Sequence, residues 1–418
     1  MPASLQAVQS FGDVPKPAET PKSLPDPLAP GSDKVDLKKL HELIDVLTPL
    51  AQEPGAPRVD LNAADVGGQR KEGKDGQVTC YETVASQDKQ GKDPFAVPTL
   101  ASHGMDEPED KLCHKVHGGS TEALRRLDEL TKDPSYLATF AKPKTSPSTD
   151  PDAPSTTLLS PYIKFGCLGV RHFWHTLKKT KNKYKSGSKT DVPEGMEGQL
   201  LFRDMYAAVY AALGDVYTQI RGNSICRYVD WYLPNVYDND GNKIEPRPLG
   251  DEESEKRLAA WKAGQTGFPW IDANMRMLRA CGWMHHLGRH SVATFLTRGQ
   301  CFISWERGAE VFDEYLLDWD PASNAGNWMW LSASAFFSQF FRVMGPASFP
   351  AKYDKDGYLV RKFCPELKDF PNRYIYEPWK APKDVQKKAN CIIGKDYPPP
   401  ILDEKKEKEK CLERMVYA

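Results

Sequence analysis

GFPWIDANMRMLRACGWMHHLGRHSVATFLTRGQCFISWERGAEVFDEYLLDWDPASNAGNWMWLSASAFF, residues Gly267 to Phe337, decides how this chain is read. Three helical patterns follow one another there. The first covers about Ile271 to Cys281 and is stopped by Gly282, a left-handed C-cap residue by type. The second runs from about Met284 to Leu296 and stops at Gly299; the third starts at Ser304, an N-cap by type, and ends at the loop Asp318-Trp319-Asp320-Pro321. Pro321 is read as the stop of the third, and Trp328 and Trp330 as opening a further helix. On the second pattern His286 and His290 share a face, with Arg289 close to the same stripe. A core seldom carries so many Trp, His, Arg and Asp side chains, which points to a bound ligand.

Outward from this stretch the composition is uneven. All ten Trp lie at or after Trp174, while the first 110 residues are rich in Pro, Gly, Lys, Asp and Ser. Within them only Leu37 to Leu50 has an amphipathic helical period; the rest reads as linker or disorder, too poor in apolar side chains to offset chain entropy. Nine cysteines, without a CxxC pair or zinc-ligand spacing, point to reduced thiols in an intracellular compartment. No apolar run reaches membrane-spanning length and no basic-then-apolar signal opens the chain. The formal net charge is −1, so nucleic-acid binding would need a local basic face, for which Arg171-His172 and the run Leu177 to Lys189 are candidates.

HHLGRH, the run DWDPASNAGNWMW and GFPWIDA together resemble the flavin-binding half of the photolyase/cryptochrome family. The resemblance extends from Val97 to Leu402 through GGSTEALRRL, LSPYIKFGCLG, QLLFRD, FPNRYIYEPWKAP and CIIGKDYPPPI. It implies an all-α FAD-binding domain over 118–402, after a connector at 97–117 and a largely disordered arm at 1–96, with a charged tail at 403–418. The arm resembles the linker that follows the family's N-terminal antenna domain, and that domain is expected to be missing. The resemblance implies light-driven, FAD-dependent repair of the (6-4) photoproduct in UV-damaged DNA, with a non-enzymatic cryptochrome that signals through protein partners or acts as a transcriptional regulator as the alternative. The expected state is a monomer, intracellular and in the nucleus, with an organelle or the cytoplasm as the alternatives.

The resemblance also assigns residues. SPYIKFG reads as a helix start with Ser160 at the N-cap, and Thr156, Thr157, Leu158, Leu159 and Ser160 fall where the family binds the FAD pyrophosphate. Gln199 and Arg203 face the flavin. The family pattern LWRE is LFRD here, so Phe202 loses an indole donor and Asp204 has a shorter arm. By the same resemblance Arg289 pairs with Asp318 over the flavin ring, Asp320 accepts from ring or ribose donors, and Asn324 lies beside the flavin N5.

Trp328, Trp305 and Trp231 match the family's electron-transfer triad, with Trp231 at the surface; where some relatives carry a fourth Trp, this chain has Phe302. From residues alone, a His pair four apart is either packed core or a metal site, though no third ligand is evident. In the family this pair belongs to (6-4) photolyases and animal-type cryptochromes. Enzymes acting on cyclobutane dimers have Asn and Met there, and Glu in place of Gln199. For (6-4) chemistry His286 is the expected general acid and His290 its partner, with a pKa raised by hydrogen bonding or an anionic flavin. The stretch Tyr232 to Asp251 is longer than in close relatives, and its Asp-Asn-Asp-Gly predicts a hairpin turn that screens Trp231.

Overall fold

The computed structural model describes residues 16, 68–72, 78–83, 118–147 and 155–417. The amphipathic stretch Leu37 to Leu50 lies outside them. The chain divides into two units, 18–109 and the remainder. In the first, strands β1 (Gly68–Glu72) and β2 (Val78–Thr83) pair antiparallel. This corrects the reading of that arm as irregular: VTCYET is rich in β-branched and aromatic residues, which suit a strand.

The second unit is helical. Its elements are α1 (Ser120–Lys132), α2 (Pro134–Thr139), α3 (Ser160–Lys164), α4 (Val170–Lys183), α5 (Met196–Leu213), α6 (Glu252–Ala263), α7 (Pro269–Cys281), α8 (His286–Thr294), α9 (Trp305–Tyr315), α10 (Pro321–Leu331), α11 (Pro350–Tyr353), α12 (Tyr358–Phe363), α13 (Lys383–Lys388) and α14 (Glu404–Tyr417). One large apolar cluster joins α6 to α10, built on Trp261, Trp270, Trp305 and Trp328, each at most 1% exposed. A smaller cluster holds α1, α2 and α4 against the start of α5.

The expected caps form. Gly282 ends α7 in the left-handed conformation at φ 62°, and the Ser304 hydroxyl accepts from the Glu306 N–H at the start of α9. Pro321 plays the opposite part to the one expected. The third helix already ends at Tyr315, and Pro321 is the first residue of α10, where its missing N–H would have had no partner. Trp328 and Trp330 therefore lie in the last turn of α10. Helices α9 and α10 cross closely because residue 308 is glycine: a Cβ there would sit 2.0 Å from the Trp328 ring.

After α8 the chain widens into a π-turn, Phe295–Gly299. Within it the buried Arg298 donates to the carbonyls of Leu331 (2.8 Å), Phe340 and Arg342 (2.9 Å). It thereby fastens the irregular stretch 332–349.

Four expectations change. Ser160 is the first residue of α3, not its cap. Helix α14 is no free tail: Cys411 and Met415 are buried against Trp231, Val229 and Phe302, and Glu407 pairs with Arg257 at 2.9 Å. In the run Leu177 to Lys189, Lys181 and Lys178 pair with the buried Glu197 at 2.6 and 3.3 Å, so those two cations serve the fold. Cys281 is disulfide-bonded, against the expectation of reduced thiols, whereas Cys167, Cys226, Cys301, Cys364, Cys391 and Cys411 are free thiols. The predicted turn after Trp231 does form, with Asp238 N–H donating to Asn242 O at 2.9 Å and Gly241 at φ 89°. Among the described residues, no helix is long and apolar enough to cross a membrane.

Candidate functional site: a flavin-sized cleft with a histidine wall

Two adjoining cavities, of about 290 and 460 Å³, share a wall made by Lys142, Thr157, Ser160, Gln199, Arg289, His290, Asp318 and Asp320. Thr156, Leu158, His286, Asn324 and Trp328 line the first; Leu159 and Arg203 line the second. Every residue expected at the flavin thus faces one or both. The volumes fall in the range of cofactor sites, roughly 300–1,000 Å³.

Asp318 is the pivot. Its Oδ2 accepts from Arg289 Nη2 at 2.9 Å and from Ser160 Oγ at 2.6 Å. Arg289 is itself aimed by a 2.8 Å bond from its Nε to the Met284 carbonyl. Asp318 Oδ1 and Thr156 Oγ1 are buried and meet no partner in the protein. Buried polar atoms are normally satisfied, so these two mark where a ligand's polar groups fit. Asp320 caps α10, its Oδ1 accepting from Ser323 N–H at 2.8 Å, which leaves one carboxylate oxygen for the cleft. Asn324 Nδ2 donates to the Ala309 carbonyl at 2.9 Å, keeping a second N–H and the amide oxygen for a ligand. Gln199 is held only by a 3.5 Å contact to Pro193 O.

The histidine wall is more crowded than the sequence suggested. The His286 and His290 rings lie 6.1 Å apart, and His285 packs 4.3 Å from His286. His285 Nδ1 accepts the Leu287 N–H at the start of α8. His286 Nε2 lies 2.9 Å from the Lys142 carbonyl and 3.1 Å from Thr145 Oγ1. A carbonyl only accepts, so Nε2 carries the proton. Lys142, Thr145 and His285 were missed: the first two belong to a single 3-10 turn, Lys142–Lys144, and its cap, too short to show periodicity, and only the adjacent His285-His286 in HHLGRH hinted at the third.

The expected upward shift of the histidine pKa is corrected. Burial first, then the neighbouring cations, lower all three: His285 (Arg289, Lys142) and His290 (Lys142, His285) to about 3, and His286 further still. Burial and Arg289 likewise bring Lys142 down to about 8. A stability prediction follows from the sign. The unfolded imidazoles take up protons near pH 6.5 while the folded ones stay neutral to about 3, so stability is full above pH 6.5 and erodes as the pH falls. Each buried ring contributes up to about 1.4 kcal/mol per pH unit within that window. The melting midpoint should drop between pH 7 and 5, and His285→Asn should flatten the drop.

Trp328 lines the first cavity, with Trp305 buried in the same cluster behind it. Trp231 is not at the surface as expected. It is 3% exposed, covered by α14 and by Phe302, whose ring is 4.7 Å away.

A helical body with a mostly apolar cleft that carries Lys142, Arg203 and Arg289, and whose unpartnered Asp318 Oδ1 calls for a ligand donor, suits a ring-bearing cofactor with phosphates, and the comparisons agree. Residues 196–416 match the family model "FAD binding domain of DNA photolyase", and the chain belongs to the photolyase/cryptochrome family. It is 46% identical over 320 residues to a (6-4)DNA photolyase of Oryza sativa subsp. japonica, covering 76% of this chain and 54% of that protein. It is also 43% identical to Cryptochrome-2 of Gallus gallus, over 77% of this chain and 51% of the other. Among solved structures, a bacterial class III photolyase from Agrobacterium tumefaciens superposes with a TM-score of 0.55 at 31% identity, over 72% of this chain and 56% of that one. The chain spans about half the length of the curated relatives it matches. Its cofactor is FAD, and the orphaned Asp318 Oδ1 and Thr156 Oγ1 fit that group.

Proposed function

We propose that this chain forms the flavin half of a light-driven lyase that repairs (6-4) photoproducts in UV-damaged DNA, acting as a monomer in the nucleus. The observation carrying this reading is the His286/His290 wall, set against the Arg289–Asp318 pair in one cleft. FAD, when bound, supplies the light-driven electron. His286 holds its proton at Nε2 against the Lys142 carbonyl, and His290 sets the ring edge-on at 78°. Burial, more than the cations, keeps the imidazoles neutral; an anionic ligand between Lys142, Arg289 and these rings would offset the cationic part and shift His286 back toward the range in which it can act as the acid. The lesion is taken out of the duplex to enter the cleft, so affinity rests on phosphate contacts around the mouth.

The deciding experiment is repair of a (6-4) photoproduct oligonucleotide under blue or near-ultraviolet light by the FAD-loaded chain. The second reading, a cryptochrome that signals through protein partners, is favoured by the 43% identity to the chicken protein. Failure to repair with fully reduced flavin bound would leave that reading standing.

Asp320 has two tasks, and the substitutions separate them. Asp320→Ala should lower flavin content and also remove a helix cap, at a cost of about 1 kcal/mol. Asp320→Asn keeps the cap, so its melting midpoint should stay near wild type while bound flavin falls. Equal flavin absorbance in Asp320→Asn and wild type after reconstitution would remove Asp320 from the binding site.

A further inference from the structure

We infer that Tyr232 is the outlet of the tryptophan relay, refilling Trp231 and taking its replacement electron from an outside thiol. This rests on the reading of Trp328, Trp305 and Trp231 as a relay. If Trp231 is the last station, its burial poses a problem, because a reductant in solution cannot touch a ring that is 3% exposed. Phe302 lies against it but is not readily oxidised. Tyr232 is the next ring, 5.9 Å from Phe302 and edge-on to it, directly following Trp231 in the chain. Unlike Trp231 it is partly exposed, and it lines a cavity of about 370 Å³ with Phe302, Arg414, Asp251, Glu253 and Glu413.

Its position is fixed by the backbone. Tyr232 N–H donates to the Phe302 carbonyl at 2.9 Å, and Ser304 N–H donates to the Tyr232 carbonyl at 2.8 Å. Ser304 is the cap of the helix whose first residue is Trp305, so the phenol is tied to the same frame as the middle station. The Arg414 guanidinium lies over the phenol ring at 4.4 Å and over Phe302 at 5.0 Å.

One electron passes from Tyr232 to the oxidised Trp231, which returns to its neutral form. The phenolic O–H bond breaks as the electron leaves, and the proton goes to water in the cavity, giving a neutral tyrosyl radical. A thiol then donates a hydrogen atom to the phenolic oxygen, restoring tyrosine and leaving a thiyl radical. The Arg414 cation disfavours a positively charged ring, so electron and proton must leave together. That coupling predicts a solvent isotope effect.

The test uses the full chain loaded with FAD, dithiothreitol as reductant, flash absorption and steady blue light. Wild type should show a neutral tyrosyl signal and slower photoreduction in D2O. Tyr232→Phe should lose the signal and photoreduce several-fold more slowly, its flavin content reporting whether it has folded. Tyr232→Trp should restore photoreduction without the isotope effect, and decides the matter should the Phe variant not bind flavin. Loss of photoreduction in Trp305→Phe together with unchanged rate and signal in Tyr232→Phe would overturn the role of Tyr232 while leaving the relay. Unchanged photoreduction in Trp305→Phe would overturn both.

Discussion

Light-driven repair of a (6-4) photoproduct should fall by about 100- to 10,000-fold in His286→Ala and in His290→Ala, the span a positioned acid or base contributes. Binding of damaged DNA should hardly change, since neither ring supplies phosphate affinity. The two losses should also fail to add in the double variant, because the rings are 6.1 Å apart and act as one unit. Cyclobutane dimers should remain unrepaired by the wild type, given Gln199 and His286 where that branch has Glu and Asn. Full repair activity in either single variant would take the proposed proton transfer away from the pair.

The second large effect concerns the Arg289–Asp318 pair. Asp318 has a side chain only 5% exposed, and Arg289 is 24% exposed. Removing the guanidinium in Arg289→Ala leaves a buried carboxylate with Ser160 Oγ as its remaining donor. Breaking a buried pair costs about 3–5 kcal/mol, and the partial exposure of Arg289 places this case near the lower end. Urea denaturation should show that loss, accompanied by low flavin content. Arg289→Lys should not rescue it, because one ammonium cannot hold both the Met284 carbonyl and Asp318 as the guanidinium fork does. The double variant Arg289→Leu with Asp318→Leu should recover stability but not flavin. A single Arg289→Ala chain as stable as wild type would mean that the pair is solvated.

Much of the core was legible because its signals are local. Gly282 and Ser304 announce their helix ends by residue type, and the i, i+4 spacing alone puts His286 and His290 on one face. The flavin-facing set needed the family motifs, since Thr156 and Asp318 are 162 positions apart and no periodicity joins them. What escaped was set by distant parts of the chain. Trp231 is covered by Cys411 and Met415 from the last helix. The histidines are kept neutral partly by Lys142, more than 140 positions upstream. Pro321 was misjudged for a different reason: proline suits a helix start as well as a stop, and the capping bond from Ser323 to Asp320 decides between them.

Arg298 has a consequence for hydrogen exchange. Between Ser338 and Val343 the backbone's own bonds are short local turns, Phe340 to Ser338, Arg342 to Gln339 and Val343 to Phe341, each spanning two or three residues. Such turns protect amides poorly, so this segment's resistance to opening depends largely on one guanidinium reaching Leu331, Phe340 and Arg342 from the opposite side. Segment 338–343 therefore hangs largely on that one side chain, whereas 332–335 is fastened separately by its own bonds to Trp328, Met329, Trp330 and Arg227.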